Sequence, residues 1–290
     1  ERCKPNSPAF NYLLKYAGSC GAECIQFEEN KFRILETACP VCFTRAKLCP
    51  GDAVKIINLP KELDADLTHR YDENGFGLFR LPAPREEQVI GILGPNGMGK
   101  STAINILSGS LRPNLGEWNL ELKEWEEIIE SFPRGELRDY LTTVAEEGVK
   151  IAVKPQYIDK LPKIFQGKVN ELLERVDDRG EIRQYAKLLD IEGVLNRTLD
   201  KLSGGELQRV AMAATLLKEA DVYFFDEPSS YLDIYERMRI VRIIQGLVER
   251  GKRILVIEHD LAILDVMCDL LQIVYGERAA YGIFTQPRNT

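Results

Sequence analysis

The sequence predicts an α/β fold, in which buried strands deliver a phosphate-binding loop to one edge of a sheet, preceded by a small cysteine-rich domain. Three observations predict it. Apolar runs at Gln88-Val-Ile-Gly-Ile-Leu93, Val222 to Phe225 and Arg253 to Ile257 read as strands covered on both faces. The first leads directly into Gly94-Pro-Asn-Gly-Met-Gly99-Lys100-Ser101, after which Thr102 to Leu107 continues with helical spacing, so a glycine-rich loop stands between a strand and a helix. Six of the seven cysteines, Cys3, Cys20, Cys24, Cys39, Cys42 and Cys49, precede residue 50. Such clustering favours metal ligation over disulfides.

Length and composition bound the reading. A chain of 290 residues fits one large domain with a smaller appendage, because single cores stop growing near roughly 250 to 300 residues. The net charge of -7 excludes a surface that is basic throughout and leaves only local basic patches for nucleic acid. No apolar run approaches the roughly 18 residues that a membrane-spanning helix needs. The longest, Leu261 to Tyr275, is interrupted by Asp265 and Asp269, so the expectation is a cytoplasmic protein with no membrane partner. The chain begins at Glu1 without a signal-like segment, and further N-terminal residues are expected before it.

Along the chain, residues 1–58 form the cysteine-rich domain, closed by the strand pattern Ala53-Val-Lys-Ile-Ile-Asn58 and by Leu59-Pro60. The remainder, 59–290, is the nucleotide-binding domain. Phe76 to Leu81 alternates as a strand, and Lys150 to Lys154 is another. Residues 118–148 exceed what a minimal core requires. Their second part reads as Lys123 to Phe132, the turn Pro133-Arg-Gly135, and Glu136 to Glu147. Trp125, Ile128, Ile129 and Phe132 share one helical face, and Leu137, Tyr140, Leu141 and Val144 another. Two readings stay open for this hairpin: packing on the core, or a docking surface. Residues 168–196 have charged helical spacing, as does Leu207 to Lys218, and Cys268 sits in an apolar helix pattern near the C-terminus.

The chemistry is carried by an ordered set of motifs. In the glycine-rich loop, Gly94, Gly97 and Gly99 permit close approach of backbone N–H groups to a phosphate, with Asn96 beside them. Lys100 supplies a compact cation for the β- and γ-phosphates, and Ser101 offers a hydroxyl to Mg2+, next to Thr102 at the helix start. Asp226 and Glu227 end a buried strand, where open α/β sheets bind ligands. Asp226 is expected to organise Mg2+ through water, Glu227 to polarise the attacking water, Gln156 to sense both, and His259 to contact the γ-phosphate. Leu202-Ser-Gly-Gly-Glu206 precedes a helix, so Ser203 can cap it or, with Gly204 and Gly205, receive a γ-phosphate. Ser230-Tyr-Leu-Asp233 completes the series, with Asp233 counted among the nucleotide-binding residues. The Ser-Gly-Gly signature between the loop and the acidic strand marks the ABC class, in which two such domains clamp nucleotide between them.

These motifs, together with Thr68-His-Arg-Tyr71, Lys154-Pro-Gln-Tyr157, Phe225-Asp-Glu-Pro-Ser-Ser-Tyr-Leu-Asp233 and Glu258-His-Asp-Leu261, resemble the ribosome-recycling ABC ATPases, the RNase L inhibitor family. The resemblance runs from about Cys39 to Thr290. It implies an ABC-type P-loop domain with a helical subdomain and a helix-loop-helix insertion, preceded by a ferredoxin-like iron-sulfur domain, and ending where a hinge to a second nucleotide-binding domain would begin. It implies ATP and Mg2+ as ligands, ATP hydrolysis, splitting of ribosomal subunits, and termination factors, initiation factors and the small ribosomal subunit as partners. Tyr71 and Phe76 match by position the aromatic rings that stack on adenine, core packing being the alternative for Phe76.

The cysteines depart from the family. Two [4Fe-4S] clusters require eight thiolates in ferredoxin-like runs, whereas Cys39, Cys42 and Cys49 keep three positions of one run and Arg45 stands where a fourth is expected. One [4Fe-4S] cluster, a zinc site or no metal all stay open. Two further functional readings share the nucleotide motifs: a divergent paralogue acting as an ATP-switched, metal- or redox-sensing module, and the ATPase subunit of a transporter. The second domain needed for closure would come in cis or from a homodimer.

Overall fold

The computed structural model describes residues 25–28, 31–34, 66–73, 75–146 and 148–289, so the six N-terminal cysteines and the expected boundary at 58/59 lie outside the described residues. The chain divides into two compact units, Glu1–Ala65 with Asp72–Gly75, and Asp66–Tyr71 with Phe76–Thr290. In the first, β1 (Ile25–Glu28) and β2 (Lys31–Ile34) form an antiparallel ladder with Ile25 opposite Ile34.

The second unit is organised on a nine-stranded sheet. Its strands are β3 (Leu67–Arg70), β4 (Gly77–Phe79), β5 (Val89–Leu93), β6 (Ile151–Lys154), β7 (Val222–Asp226), β8 (Arg253–Ile257), β9 (Leu270–Glu277), β10 (Tyr281–Phe284) and β11 (Arg288–Asn289). The order is β3-β4-β10-β9-β5-β8-β7-β6, with β11 added against β9. From β9 to β6 the strands are parallel. The far half of β9 turns into an antiparallel pairing with β10, and β3 pairs antiparallel with β4. β4 runs parallel to β10, so one long strand joins the parallel core to a mixed part.

The central strands β5, β7 and β8 are almost wholly apolar because both faces are covered. Successive residues point to opposite faces, and the side chains divide accordingly. Ile90, Ile92, Phe224, Leu255 and Ile257 enter one core, while Val89, Tyr223, Phe225, Ile254 and Val256 enter the other.

The helices are α1 (Lys100–Leu107), α2 (Trp125–Ser131), α3 (Glu136–Glu146), α4 (Leu161–Ile164), α5 (Val169–Val176), α6 (Ile182–Leu188), α7 (Gly204–Leu216), α8 (Ile234–Val248) and α9 (Leu261–Met267). The helix, turn, helix expected of the insertion is present as α2 and α3. Its apolar faces are spent on the core: Ile128, Ile129, Tyr140 and Leu141 are buried, with Trp125, Phe132, Leu137 and Val144 packed against them. Tyr140 donates its hydroxyl to the carbonyl of Leu107 at 2.8 Å, tying the hairpin to the helix that follows the glycine-rich loop. The residues of these two apolar faces are thus packing residues.

Two expectations need correction. Phe76 to Leu81 yields only the three-residue β4, because Arg80 takes a positive φ of 60° and ends the strand. The apolar pattern around Cys268 is not one helix. α9 stops at Met267, Cys268 is its extended C-cap, and β9 follows two residues later.

Candidate active site

The glycine-rich loop leaves the C-terminal end of β5 and enters α1. Gly97 and Gly99 have φ of 84° and 82°, a left-handed conformation that costs other residues about 1–2 kcal/mol. Gly99 also has no room for a side chain, since a Cβ there would lie 2.7 Å from both Leu78 Cδ1 and Phe76 Cε1. Phe76 therefore packs beneath the loop as a buttress, with Leu78 beside it. Tyr71 is more than half exposed, and its hydroxyl lies 3.1 Å from Thr102 Oγ1 at the start of α1. Of the two aromatic rings, Tyr71 is the more exposed, with the His69 ring perpendicular to it at 4.7 Å between centroids.

Lys100 is nearly buried. Its ammonium donates to the Gly94 carbonyl at 2.6 Å and reaches Asn96 Oδ1 and His259 Nε2, each at 3.4 Å. Burial lowers its pKa, and the Asp226 and Glu227 carboxylates pull in the opposite direction. Ser101, next along the helix, is exposed.

Opposite stand the carboxylates at the end of β7. Asp226 has its pKa raised, by burial first and by Glu227 second, against the opposing pull of Lys154, Lys100 and His259. Glu227 occupies a left-handed conformation at φ 48°, uncommon for a residue with a side chain. Both its oxygens are held: Oε1 accepts from Gln156 Nε2 at 2.7 Å, and Oε2 accepts from Ser230 Oγ at 3.0 Å. His259 Nε2 lies 3.4 Å from Glu227 Oε1. Because the same nitrogen is 3.4 Å from Lys100 Nζ, one imidazole stands between the Lys100 ammonium and the Glu227 carboxylate.

The backbone beneath is equally fixed. Glu227 N–H donates to the Ile257 carbonyl at 2.8 Å, and Gln208 on α7 donates to the carbonyls of Glu227 and Pro228 at 2.8 and 2.9 Å. Lys154, fully buried at the end of β6, donates to the carbonyls of Asp226 and Glu227 at 2.7 and 3.1 Å. Burial drives its pKa down to about 8, against the pull of Asp226, Glu227 and Glu258. Glu258 is buried as well. It accepts from Ser229 Oγ at 2.6 Å and from His259 N–H at 2.8 Å, which sets the backbone that carries the imidazole.

Gln156, Glu227, His259, Lys100 and Asn96 are thus brought together, with Asp226 coupled to them electrostatically. Ser203, Gly204, Gly205 and Asp233 belong to other surroundings. Ser203 caps α7 in a reciprocal box with Glu206. Gly204 and Gly205 abut Tyr231. Asp233 caps α8 by accepting from Glu236 N–H at 2.9 Å. The sequence holds Lys154, Ser230 and Glu258 within motifs, and Gln208 in the helical run after the Ser-Gly-Gly signature, without assigning them a role. A charged residue ending an apolar strand was the only available signal for Lys154.

Comparison with known proteins identifies the family. The family described as ABC transporter matches residues 84–230. "ABC transporter E family member 1" of Arabidopsis thaliana is 46% identical over 99% of this chain and 48% of its own length. "Translation initiation factor RLI1" of Saccharomyces cerevisiae is 47% identical over 88% of this chain and 42% of its own length. Among solved structures, one described as a model of ribosome-bound archaeal Pelota and ABCE1 contains a chain that superimposes with a TM-score of 0.87 at 45% identity. It covers 94% of this chain and 48% of that one. The chain spans about half the length of the curated relatives it matches. It belongs to the ABC transporter family of P-loop ATPases, as a homologue of the RNase L inhibitor proteins.

Proposed function

We propose that this chain binds ATP with Mg2+ and hydrolyses it when a second nucleotide-binding domain closes the site, and that the closure splits ribosomal subunits. The observation that carries hydrolysis is the placement of His259 Nε2 at 3.4 Å from both Lys100 and Glu227, which puts the phosphate-binding and water-activating groups in one constellation. The ribosomal role is supported by the relatives, one named a translation initiation factor and another described as ribosome-bound.

The residues fit a divalent cation. Asp226 is a carboxyl whose charged form is disfavoured by burial and by Glu227, and a cation beside it would reverse that balance. Gln156 spends its amide nitrogen on Glu227, leaving its amide oxygen as the ligand atom, and the exposed Ser101 hydroxyl is the other. Mg2+ held by Ser101 and Gln156, with Asp226 acting through water, would supply positive charge against the phosphates. The protein's own groups then act by position and charge. Lys100 exchanges its carbonyl partners for phosphate oxygens. Glu227 holds the water and takes its proton as the water oxygen bonds to the γ-phosphorus and the bond to the bridging oxygen of ADP breaks. His259 contacts the γ-phosphate and holds the water with Glu227. Tyr71 offers its exposed ring to the adenine, and Phe76 supports the loop.

We also assign one [4Fe-4S] cluster to the N-terminal cysteines, on the ferredoxin-like spacing of Cys39, Cys42 and Cys49. Iron and sulfide analysis of anaerobically purified protein tests it; stoichiometric zinc without iron would replace the cluster by a zinc site.

The functional test is Glu227→Gln. In the intact protein it is expected to keep ATP affinity within about twofold, to reduce turnover by about a hundredfold or more, and to pellet with small ribosomal subunits in an ATP-dependent manner. Turnover at the wild-type rate would remove Glu227 from the mechanism. Absence of ATP-dependent pelleting would remove the ribosomal role.

A further inference from the structure

The site contains a second buried lysine that the chemistry above does not use. Lys154 has no exposed surface, yet among the described residues its ammonium forms no ion pair within 4.0 Å. Its hydrogen bonds go to the carbonyls of Asp226 and Glu227. A buried cation without a direct carboxylate partner is costly, and an apolar side chain of similar length would pack there more cheaply. Stability therefore does not account for it.

Its position does. Glu227 is held in a left-handed conformation at φ 48°, where L side chains are disfavoured, and its carbonyl accepts from Lys154 on one strand and from Gln208 on α7. Two residues beyond Lys154, Gln156 grips the Glu227 carboxylate itself. The end of β6 thus holds Glu227 twice, at the main chain through Lys154 and at the side chain through Gln156. Lys154 is also the foremost cation opposing the unfavourable charge on Asp226, ahead of Lys100. We infer that Lys154 is a positioning residue for Glu227: its ammonium, with the Gln208 amide, clamps the Glu227 main chain so that the carboxylate is aimed before nucleotide arrives.

The inference rests on the hydrolytic reading, so its test runs beside wild type and Glu227→Gln in the intact protein. Lys154→Met keeps the length and removes the donor. The expected result is a kcat lower by about ten- to a hundredfold, with KM and ATP affinity changed less than about threefold and the melting temperature equal to or above wild type. Gln208→Met, which removes the other donor to the same carbonyl, is expected to show the same split and carries the test if Lys154→Met does not fold. A kcat within twofold of wild type in the folded variant would overturn the clamp, as would a kcat loss matched by equal losses of affinity and thermal stability. If wild type itself shows no turnover, the hydrolytic reading fails instead.

Discussion

Gly99 concentrates two demands on one residue. It must take φ 82°, and its α-hydrogen faces Leu78 and Phe76 where a methyl would intrude to 2.7 Å. Gly97 shares the first demand only, since a Cβ there meets nothing nearer than Arg278 Cγ at 3.8 Å. Gly97→Ala is therefore expected to cost the left-handed penalty alone, about 1–2 kcal/mol, whereas Gly99→Ala must also displace the Phe76 buttress and shift the loop. Binding of a fluorescent ATP analogue should fall at least about tenfold further in Gly99→Ala than in Gly97→Ala, because each 1.4 kcal/mol is a factor of ten. Equal losses would mean that Phe76 yields freely and does not support the loop.

At the scale of elements, the α2–α3 hairpin behaves as core. Leu141 is fully buried, and Leu141→Ala should destabilise the protein by about 2–5 kcal/mol in urea unfolding. Tyr140→Phe loses the bond to Leu107 and should cost about 1 kcal/mol. A docking hairpin would instead tolerate both. This hairpin was legible in the sequence because Ile128, Ile129, Tyr140 and Leu141 repeat with the helical period, and β5 was legible because its apolar run ends at the first loop glycine. The break after α9 was not. Residues 261–275 carry no local stop signal, and the turn is set by Asp269, which accepts from Val89 N–H at 2.7 Å and donates its own N–H to the Val89 carbonyl at 3.0 Å. A partner 180 positions away leaves no trace in a local pattern. Lys154 and Glu258 stand within motifs as well, but their contacts exist only once β6, β7 and β8 lie side by side, so the motifs point to Lys100, Gln156, Glu227 and His259 and leave these two without a role.

At the scale of the whole molecule, the glycine-rich loop and the Ser203-Gly-Gly segment have separate surroundings. The glycine-rich loop is packed by Phe76, Leu78 and Val274, whereas Ser203, Gly204 and Gly205 are set by Glu206 and Tyr231. The nearest neighbours of the loop glycines and of Gly204 and Gly205 are different residues, as expected when the signature serves a site on another domain. Ser203 also caps α7, so a simple truncation would confound helix stability with phosphate recognition. Ser203→Asp separates them, because Asp caps a helix about as well as Ser while placing negative charge where the γ-phosphate of the facing domain would arrive. It is expected to leave the melting temperature within a few degrees of wild type and ATP binding at this chain's own Lys100 loop unchanged, and to lower turnover in the intact protein by at least about tenfold through repulsion across the closed interface. Ser203→Ala should show the opposite balance, losing about 1 kcal/mol of stability with the cap and retaining more turnover than Ser203→Asp. If Ser203→Asp hydrolyses ATP at the wild-type rate, the signature does not meet a γ-phosphate, and the site on this chain must be closed by some other surface.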